Sequence, residues 1–370
     1  MRILLLSAYD AVSHRQWRKG LVAALPEHDW TVLTLPPRHF RWRIRGNSLS
    51  WGVAERVRLS QKYDCLVATS MVDLAALRGI VPALAPLPAL LYFHENQFDY
   101  PLSQSAHASI EPQIVNLYSA LAAQRLVFNS DYNQRSFLAG VRALLKKMPD
   151  AVPGGIPEQL AAKATVLPVP LANDWFEAAR ADKPAELTIV WNHRWEYDKA
   201  PEIFFQALRL LLGKNIPFRV HVLGQTFRTV PTLFDEMRVV LRNQLGQWGR
   251  VEDREAYRQL LRQAHVVVST ARHDFQGLAV LEAVAAGCIP VVPDRLAYPE
   301  WFTAGYRYAS MPENNEQEAQ QLADKLATLA LQLEHNLLPP APDVSFLSWS
   351  ALQQSYGTLI NELELLHRDN

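Results

Sequence analysis

Two carboxylates eight positions apart, Asp274 and Glu282, straddle a single glycine in the stretch Arg272-His273-Asp274-Phe275-Gln276-Gly277-Leu278-Ala279-Val280-Leu281-Glu282. Some eighty positions earlier a cation pair, Arg194 and Lys199, stands in Trp191-Asn-His193-Arg194-Trp195-Glu196-Tyr-Asp198-Lys199-Ala-Pro201. Carboxylates accept hydrogen bonds from hydroxyl groups, and fixed cations oppose the charge that builds on a departing phosphate more strongly in the transition state than in the ground state. Together these residue types suit a phosphorylated ligand.

The elements that must position them can be read from the flanking residues. His265-Val-Val-Val-Ser-Thr270 is a short β-branched run, which predicts a buried strand, and Leu278 to Ala286 predicts a helix stopped by Gly287. Strand, acidic turn and helix start follow in that order. The amides of Gly277, Leu278 and Ala279 then become donors without intrahelical partners at the positive end of the helix dipole, a place for an anion. Leu187–Asn192 predicts the strand before Arg194, and Pro201 the first turn of the helix after Lys199. The residues alone also allow a plainer arrangement. Asp274 would then cap an ordinary βα turn with Glu282 facing solvent, and Arg194–Glu196 and Lys199–Asp198 would be surface ion pairs.

Composition sets bounds on this chemistry. The 370 residues suffice for two domains with ample cores. Lys plus Arg number 37, as do Asp plus Glu, so no global field gathers nucleic acid and any such contact must be local. Cys65 and Cys288 lie in apolar runs, which predicts buried free thiols without a disulfide framework or zinc spacing. No Asp-x-Asp occurs anywhere, so no paired-carboxylate cation site is expected and the Arg/Lys pair takes that electrostatic task. Arg2 to Leu6 is too short for a signal-peptide core and Ile80–Phe93, interrupted by prolines, too short to span a bilayer. A soluble, cytoplasmic protein without a membrane or an obligate protein partner is expected.

In the first half, Ile3–Ser7, Trp30–Thr34, Tyr63–Thr69, Ala89–Phe93 and Arg125–Asn129 predict strands, with helices over Arg15–Leu25, Glu111–Ala122 and Asp131–Lys147. Ser13 is expected to cap the first of these helices, Ser130 the last, and residues 149–160 to form a loop. Arg38-His39-Phe40-Arg41-Trp42-Arg43-Ile44-Arg45 gathers four arginines and two aromatic residues. Guanidinium groups grip phosphates and aromatic rings stack on bases, so this is the chain's best nucleic-acid signal. Its structural alternative is an amphipathic stretch with Trp42 and Ile44 packed inward. His94, Glu95, Asn96 and Gln97 end a strand, where open parallel sheets bind ligands, although His94 suits a structural role equally well.

After a polar linker over 174–186 the βα alternation restarts, with helices expected over Glu202–Leu212, Thr232–Leu245 and Arg254–Gln263 and strands over Phe218–Leu223 and Cys288–Val292. The reading is an α/β protein of two doubly wound Rossmann-like domains, 1–173 and 187–345, with a cleft between them. A last helix, 346–370, would pack back across both.

The Asp274–Glu282 spacing resembles the E-x7-E signature of retaining glycosyltransferases with the GT-B fold, and Arg-x4-Lys at 194–199 matches their phosphate-binding pair. Four stretches together resemble one family, the tRNA-queuosine mannosyltransferases. They are Ser13-His14 with Phe40-Arg-Trp-Arg-Ile-Arg45, Leu91-Tyr-Phe-His-Glu-Asn-Gln97, Val190-Trp-Asn-His-Arg-Trp-Glu-Tyr-Asp-Lys199, and Ser269-Thr-Ala-Arg-His-Asp-Phe-Gln-Gly277 through Glu282. The chain departs from the family with Asp274 in place of the usual glutamate, and with Asp10-Ala-Val-Ser-His14 where the first loop often carries Gly-Gly-Ser-His.

The resemblance implies retaining, metal-independent transfer of an α-mannosyl group from GDP-mannose to the cyclopentene diol of queuosine in a tRNA anticodon loop, with no cofactor. It implies that Glu282 holds the donor ribose, Asp274 the transferred sugar, and Arg194, Lys199 and the 277–279 amides the diphosphate. His94 would sit beside the anomeric centre from the other domain, while Ser13, His14, Arg38, Arg41, Trp42, Arg43, Arg45 and Asn96 would meet the acceptor. Two other readings compete. One is a retaining glycosyltransferase acting on a lipid or polysaccharide precursor from a GDP- or UDP-sugar. The other is a non-catalytic nucleotide-sugar or RNA-binding module, which Asp274 alone favours.

Overall fold

Near-continuous apolar runs form the central strands of two sheets because each strand is covered on both faces. β3 (Cys65–Thr69) and β4 (Ala89–Phe93) are buried at every position, as is β7 (Leu187–Asn192) in the second half. The computed structural model describes residues 1–99, 109–177, 181–225 and 232–368. It divides into two units, residues 1–170 with 349–370, and residues 171–348.

The first unit's sheet has the order β2-β1-β3-β4-β5-β6 and is parallel throughout, with β1 at Arg2–Ser7, β2 at Asp29–Thr34, β5 at Arg125–Phe128 and β6 at Ala164–Val166. Leu4, Leu6, Leu66, Ala68, Leu91 and Phe93 feed one core with helices Phe40–Ala54 and Asp131–Leu145. Tyr92, facing the other way, stacks on Trp17 of helix Val12–Ala24 with ring centroids 4.3 Å apart. The C-terminal helix Trp349–Arg368 belongs to this unit, whereas residues 346–348, expected with it, belong to the second. Trp17 Nε1 donates to the Tyr356 hydroxyl at 3.0 Å, and the Trp349 ring fills the space where a side chain at Gly20 would stand.

The second unit's sheet runs β12-β11-β10-β7-β8-β9, with β8 at Phe218–Leu223, β9 at Leu245–Gly249, β10 at Val266–Val268, β11 at Ile289–Pro293 and β12 at Arg307–Tyr308. Read from β9, this is the doubly wound order in which the winding reverses between β7 and β10. The two loops singled out from sequence follow those two strands, so the topology brings the Arg194–Lys199 and Asp274–Gly277 segments to one switch point. Helices Pro201–Gly213 and Asn315–Glu334 cover one face, burying Phe204, Phe205, Leu208, Leu322 and Leu326. Each such side chain contributes roughly 1.5–3 kcal/mol by leaving water.

Several expectations are corrected. Residues 174–177 are not a linker: the Trp175 ring is buried in the second unit's core, with the Arg258 guanidinium 5.1 Å from its centroid and Asp174 paired to Arg254 at 3.2 Å. The rest of that expected linker falls partly on residues 178–180, outside the described residues. The helix expected over 232–245 ends at Val240, and Leu245 opens β9. Ile156–Ala161 is a short helix within the expected loop. Ser13 lies inside the first helical turn, which Ala11 precedes without a side-chain cap, whereas Ser130 does cap its helix through the Asn133 amide.

Candidate active site

β7 and β10 end side by side, and their loops interlock through the backbone. The Thr270 hydroxyl donates to the Lys199 carbonyl at 2.7 Å, the Arg272 amide to the Asp198 carbonyl at 2.8 Å, and Lys199 Nζ to the His273 carbonyl at 2.5 Å. Ala200, at φ 45°, turns the chain from Lys199 into helix Pro201–Gly213. Gly224 leaves room for the His193 carbonyl, which would stand 1.8 Å from any Cβ there. These contacts fix Lys199 and the backbone of the turn that carries Asp274.

Lys199 is buried, with its ammonium 3.3 Å from Asp198 Oδ2 and 3.7 Å from Asp274 Oδ2. The pair with Asp198 is therefore real but interior, not on the surface. Arg194 is more exposed and pairs with Glu196 at 3.2 Å. Burial tends to raise the Asp274 carboxyl, but Lys199, His193, His273 and the Gly277 amide outweigh it and hold it below its ordinary value. Burial drives His193 and His273 down to about 4, so both are neutral imidazoles near pH 7.

Gly277, at φ 78°, precedes helix Leu278–Ala285, and its amide donates to Asp274 Oδ1 at 3.0 Å. It is thus not the open donor expected from sequence: Asp274 closes its own turn with it. The amides of Leu278 and Ala279 remain in the first helical turn, where no intrahelical acceptor exists. Asn192 at the end of β7 ties to this turn by donating to the Ala279 carbonyl at 2.7 Å. Glu282 meets a different environment. Burial pushes its carboxyl up to about 7 against the pull of Arg254 and Arg258.

In the first unit His94 follows β4 and is buried, its ring 4.0 Å from that of His14 and 4.9 Å from that of Trp17. Burial lowers His14 to about 4 and His94 well below its ordinary value, with His14 adding to the shift at His94. Both rings are neutral hydrogen-bonding groups, and the Ser13 hydroxyl lies 3.4 Å from His14 Nδ1. Asp10 anchors this loop through Arg15 at 3.1 Å and Arg18 at 2.8 Å.

The basic stretch becomes the start of helix Phe40–Ala54 and its members separate. Arg38, Arg41 and Trp42 are exposed. Ile44 packs inward as the structural alternative held, but Trp42 turns out and lies over Gly46. Arg43 is buried, and Arg45 is engaged by Asp73 at 2.7 Å and Glu111 at 3.3 Å. Asn96 is corrected from acceptor contact to structural hub. It is fully buried, its amide nitrogen donates to Asn133 and Ser136, and its oxygen takes the Phe98 and Asp99 amides.

His193 and His273 lay inside the stretches noted in sequence without being assigned a role, and Asp198 was expected only as a surface partner of Lys199. Tyr298, whose hydroxyl reaches Asp274, gave no sequence signal. Among the described residues no group of three or more His, Cys, Asp or Glu is placed to hold a metal ion, and no helix is long and apolar enough to cross a membrane.

A switch-point site of this kind, on two doubly wound units, is the architecture of a GT-B glycosyltransferase. HepE of Anabaena in complex with UDP superposes with a TM-score of 0.64 over 98% of this chain and 100% of its own, at 14% identity. The E. coli trehalose-6-phosphate structure bound with UDP-2-fluoro glucose gives 0.65 over 98% and 99%, at 13% identity. These likenesses carry the fold. Residues 174–337 match the Glycosyl transferases group 1 family, and residues 2–171 the family described as tRNA-queuosine alpha-mannosyltransferase N-terminal. A tRNA-queuosine alpha-mannosyltransferase of Drosophila melanogaster is 33% identical over 307 residues, covering 80% of this chain and 81% of that protein. The chain belongs to the tRNA-queuosine alpha-mannosyltransferase family and is a glycosyltransferase.

Proposed function

We propose that this glycosyltransferase moves an α-mannosyl group from GDP-mannose to the cyclopentene diol of queuosine in a tRNA. The observation that carries this reading is the likeness to the Drosophila enzyme, which is long enough to span both units and is joined by the separate match of residues 2–171 to the tRNA-queuosine family. The site supports it chemically. As the sugar–phosphate bond breaks, negative charge grows on the diphosphate, and Lys199, Arg194 and the Leu278 and Ala279 amides supply fixed positive potential for it. Since Asp198 and Asp274 already hold Lys199, little reorganisation accompanies the reaction. These groups perform the task without a metal ion.

Glu282 accepts hydrogen bonds from the donor ribose and Asp274 from the transferred sugar. In the first unit the neutral His14 and His94 serve as hydrogen-bond partners for hydroxyl groups, not as cations. Arg38, Arg41 and Trp42, exposed together, are the RNA contacts, while Arg43 and Arg45 chiefly hold their helix in place. Retention follows from same-face substitution, the departing phosphate taking the proton of the attacking hydroxyl. The work is done in the cytoplasm, where tRNA is.

The test is a transfer assay with labelled GDP-mannose on tRNA from queuosine-competent and queuosine-deficient cells. Label confined to the competent tRNA is expected. Equal label on both tRNAs would reject queuosine as acceptor, and donor binding without label on either would reject tRNA.

A further inference from the structure

Asp274 is one methylene shorter than the glutamate of the pattern it resembles, and Tyr298 stands in the space beside it. Tyr298 is buried after β11, with its hydroxyl 3.4 Å from Asp274 Oδ2 and 2.7 Å from the Ser269 hydroxyl. Its ring passes so close to Gly277 that a Cβ there would stand 2.9 Å from Cε1. Gly277 in turn gives its amide to Asp274 Oδ1 at 3.0 Å. We infer that Asp274 and Tyr298 are a size-matched pair. The tyrosine hydroxyl occupies volume that a glutamate's extra methylene would need, and it positions the shorter carboxylate.

The hydrogen bonds have only one consistent direction. A carboxylate accepts and cannot donate, so Tyr298 gives its single hydroxyl proton to Asp274. Ser269 then donates to the Tyr298 oxygen, and the Ser269 oxygen takes the Ala271 amide at 3.2 Å. The chain of bonds thus starts at the backbone leaving β10 and ends on the carboxylate of the same turn. Tyr298 is a positioning residue: it acts through Asp274 and need not touch the donor. Converting Asp274 to glutamate and Tyr298 to phenylalanine shifts about one heavy atom from one side chain to the other, and volume-conserving exchanges are the best tolerated in packed sites.

The test is a double-variant cycle of Asp274→Glu, Tyr298→Phe and the two combined. It is read by melting temperature, by the dissociation constant for GDP-mannose, and by kcat and KM for transfer. Asp274→Glu alone should lower kcat/KM about tenfold, and the combined variant should return to within about threefold of the parent. A merely structural tyrosine would instead give a combined loss equal to the product of the single losses, and that result overturns the pairing. Should Asp274→Glu not fold, Tyr298→Phe is compared in the parent and in Asp274→Ala. The phenylalanine should cost nothing further once the carboxylate is gone, and a full further cost overturns the pairing. The effect on activity rests on Asp274 serving the donor, as proposed above. Coupling seen in melting temperature with unchanged donor binding would keep the pair and reject that role.

Discussion

Around Asp274 the buried charged groups are already engaged with one another, whereas along residues 38–45 most of the charges reach solvent and only Arg45 among the exposed ones is held by carboxylates. Lys199 spends its ammonium on Asp198, Asp274 and the His273 carbonyl, and the two flanking histidines are neutral. On this stretch, Arg43 is taken up by packing and the exposed Arg45 by Asp73 and Glu111, while Arg38, Arg41 and Trp42 are exposed without such carboxylate partners. The first arrangement suits chemistry, because dipoles and charges fixed beforehand need no rearrangement in the transition state. The second suits a large polyanion, because exposed cations can follow a phosphate backbone and are strengthened or weakened by salt.

The contrast breaks most visibly at Lys199. Lys199→Ala should lower kcat/KM by about 10²–10³-fold. It should also cost about 3–5 kcal/mol of stability, since Asp198 and Asp274 lose the charge that pairs them in the interior. Transfer kinetics and chemical denaturation would show both losses, and a near-normal rate would remove Lys199 from the diphosphate.

Glu282 sharpens the donor side through pH. Its carboxyl is raised by burial from 4.5 to about 7 in the folded state. Its contribution to stability is therefore full below pH 4.5 and is lost as pH rises through 7. If Glu282 holds the donor ribose as proposed, donor binding should run the other way, because only the carboxylate form is a full hydrogen-bond acceptor for hydroxyls. Calorimetry with GDP-mannose should show affinity falling up to about tenfold per pH unit below 7, and Glu282→Gln should flatten the curve. A pH-independent affinity in the parent would place Glu282 outside the ribose site.

On the basic stretch, removing Arg38 and Arg41 should weaken tRNA binding several-fold and reduce the salt slope by about 0.7–0.9 per lost phosphate contact, with an unchanged melting temperature. Arg43→Ala should do the reverse, lowering the melting temperature first. If Arg43→Ala weakened tRNA binding without touching stability, the division between inner and outer arginines would fail. The smallest effect is expected from a chelator, in which transfer should persist at its ordinary rate; its loss would show that the Arg/Lys pair does not replace a cation.

What could be read in the sequence follows the same contrast. Leu187–Asn192, Phe218–Leu223 and the start of helix Leu278–Ala285 were legible because apolar runs and a glycine boundary leave few alternatives. β9 was not, since Leu-Gly-Gln-Trp-Gly looks like a turn. Gly246 is there because a side chain would collide with the His221 ring, 2.4 Å from where a Cβ would stand. Helix Asn315–Glu334 escaped notice because its apolar stripe has meaning only against Pro201–Gly213. In the candidate site, Asp274, Glu282, Arg194 and Lys199 stand out in the sequence by their spacing. Tyr298 did not, because a tyrosine twenty-four positions from its partner is visible only once β10 and β11 pair. The exposed and buried arginines of one helix were indistinguishable as a string of letters.

The C-terminal helix gives the first unit an unusual birth order. Residues 349–368 leave the ribosome only after the whole second unit, yet Trp17 Nε1 finds its acceptor in the Tyr356 hydroxyl, which also lies 3.1 Å from that of Tyr92. Until then Trp17 Nε1 lacks its acceptor and the Tyr92 hydroxyl this neighbour, so the first unit cannot complete its packing before helix Trp349–Arg368 has been made. The second unit, continuous in sequence, is free to finish folding ahead of the half that was made first.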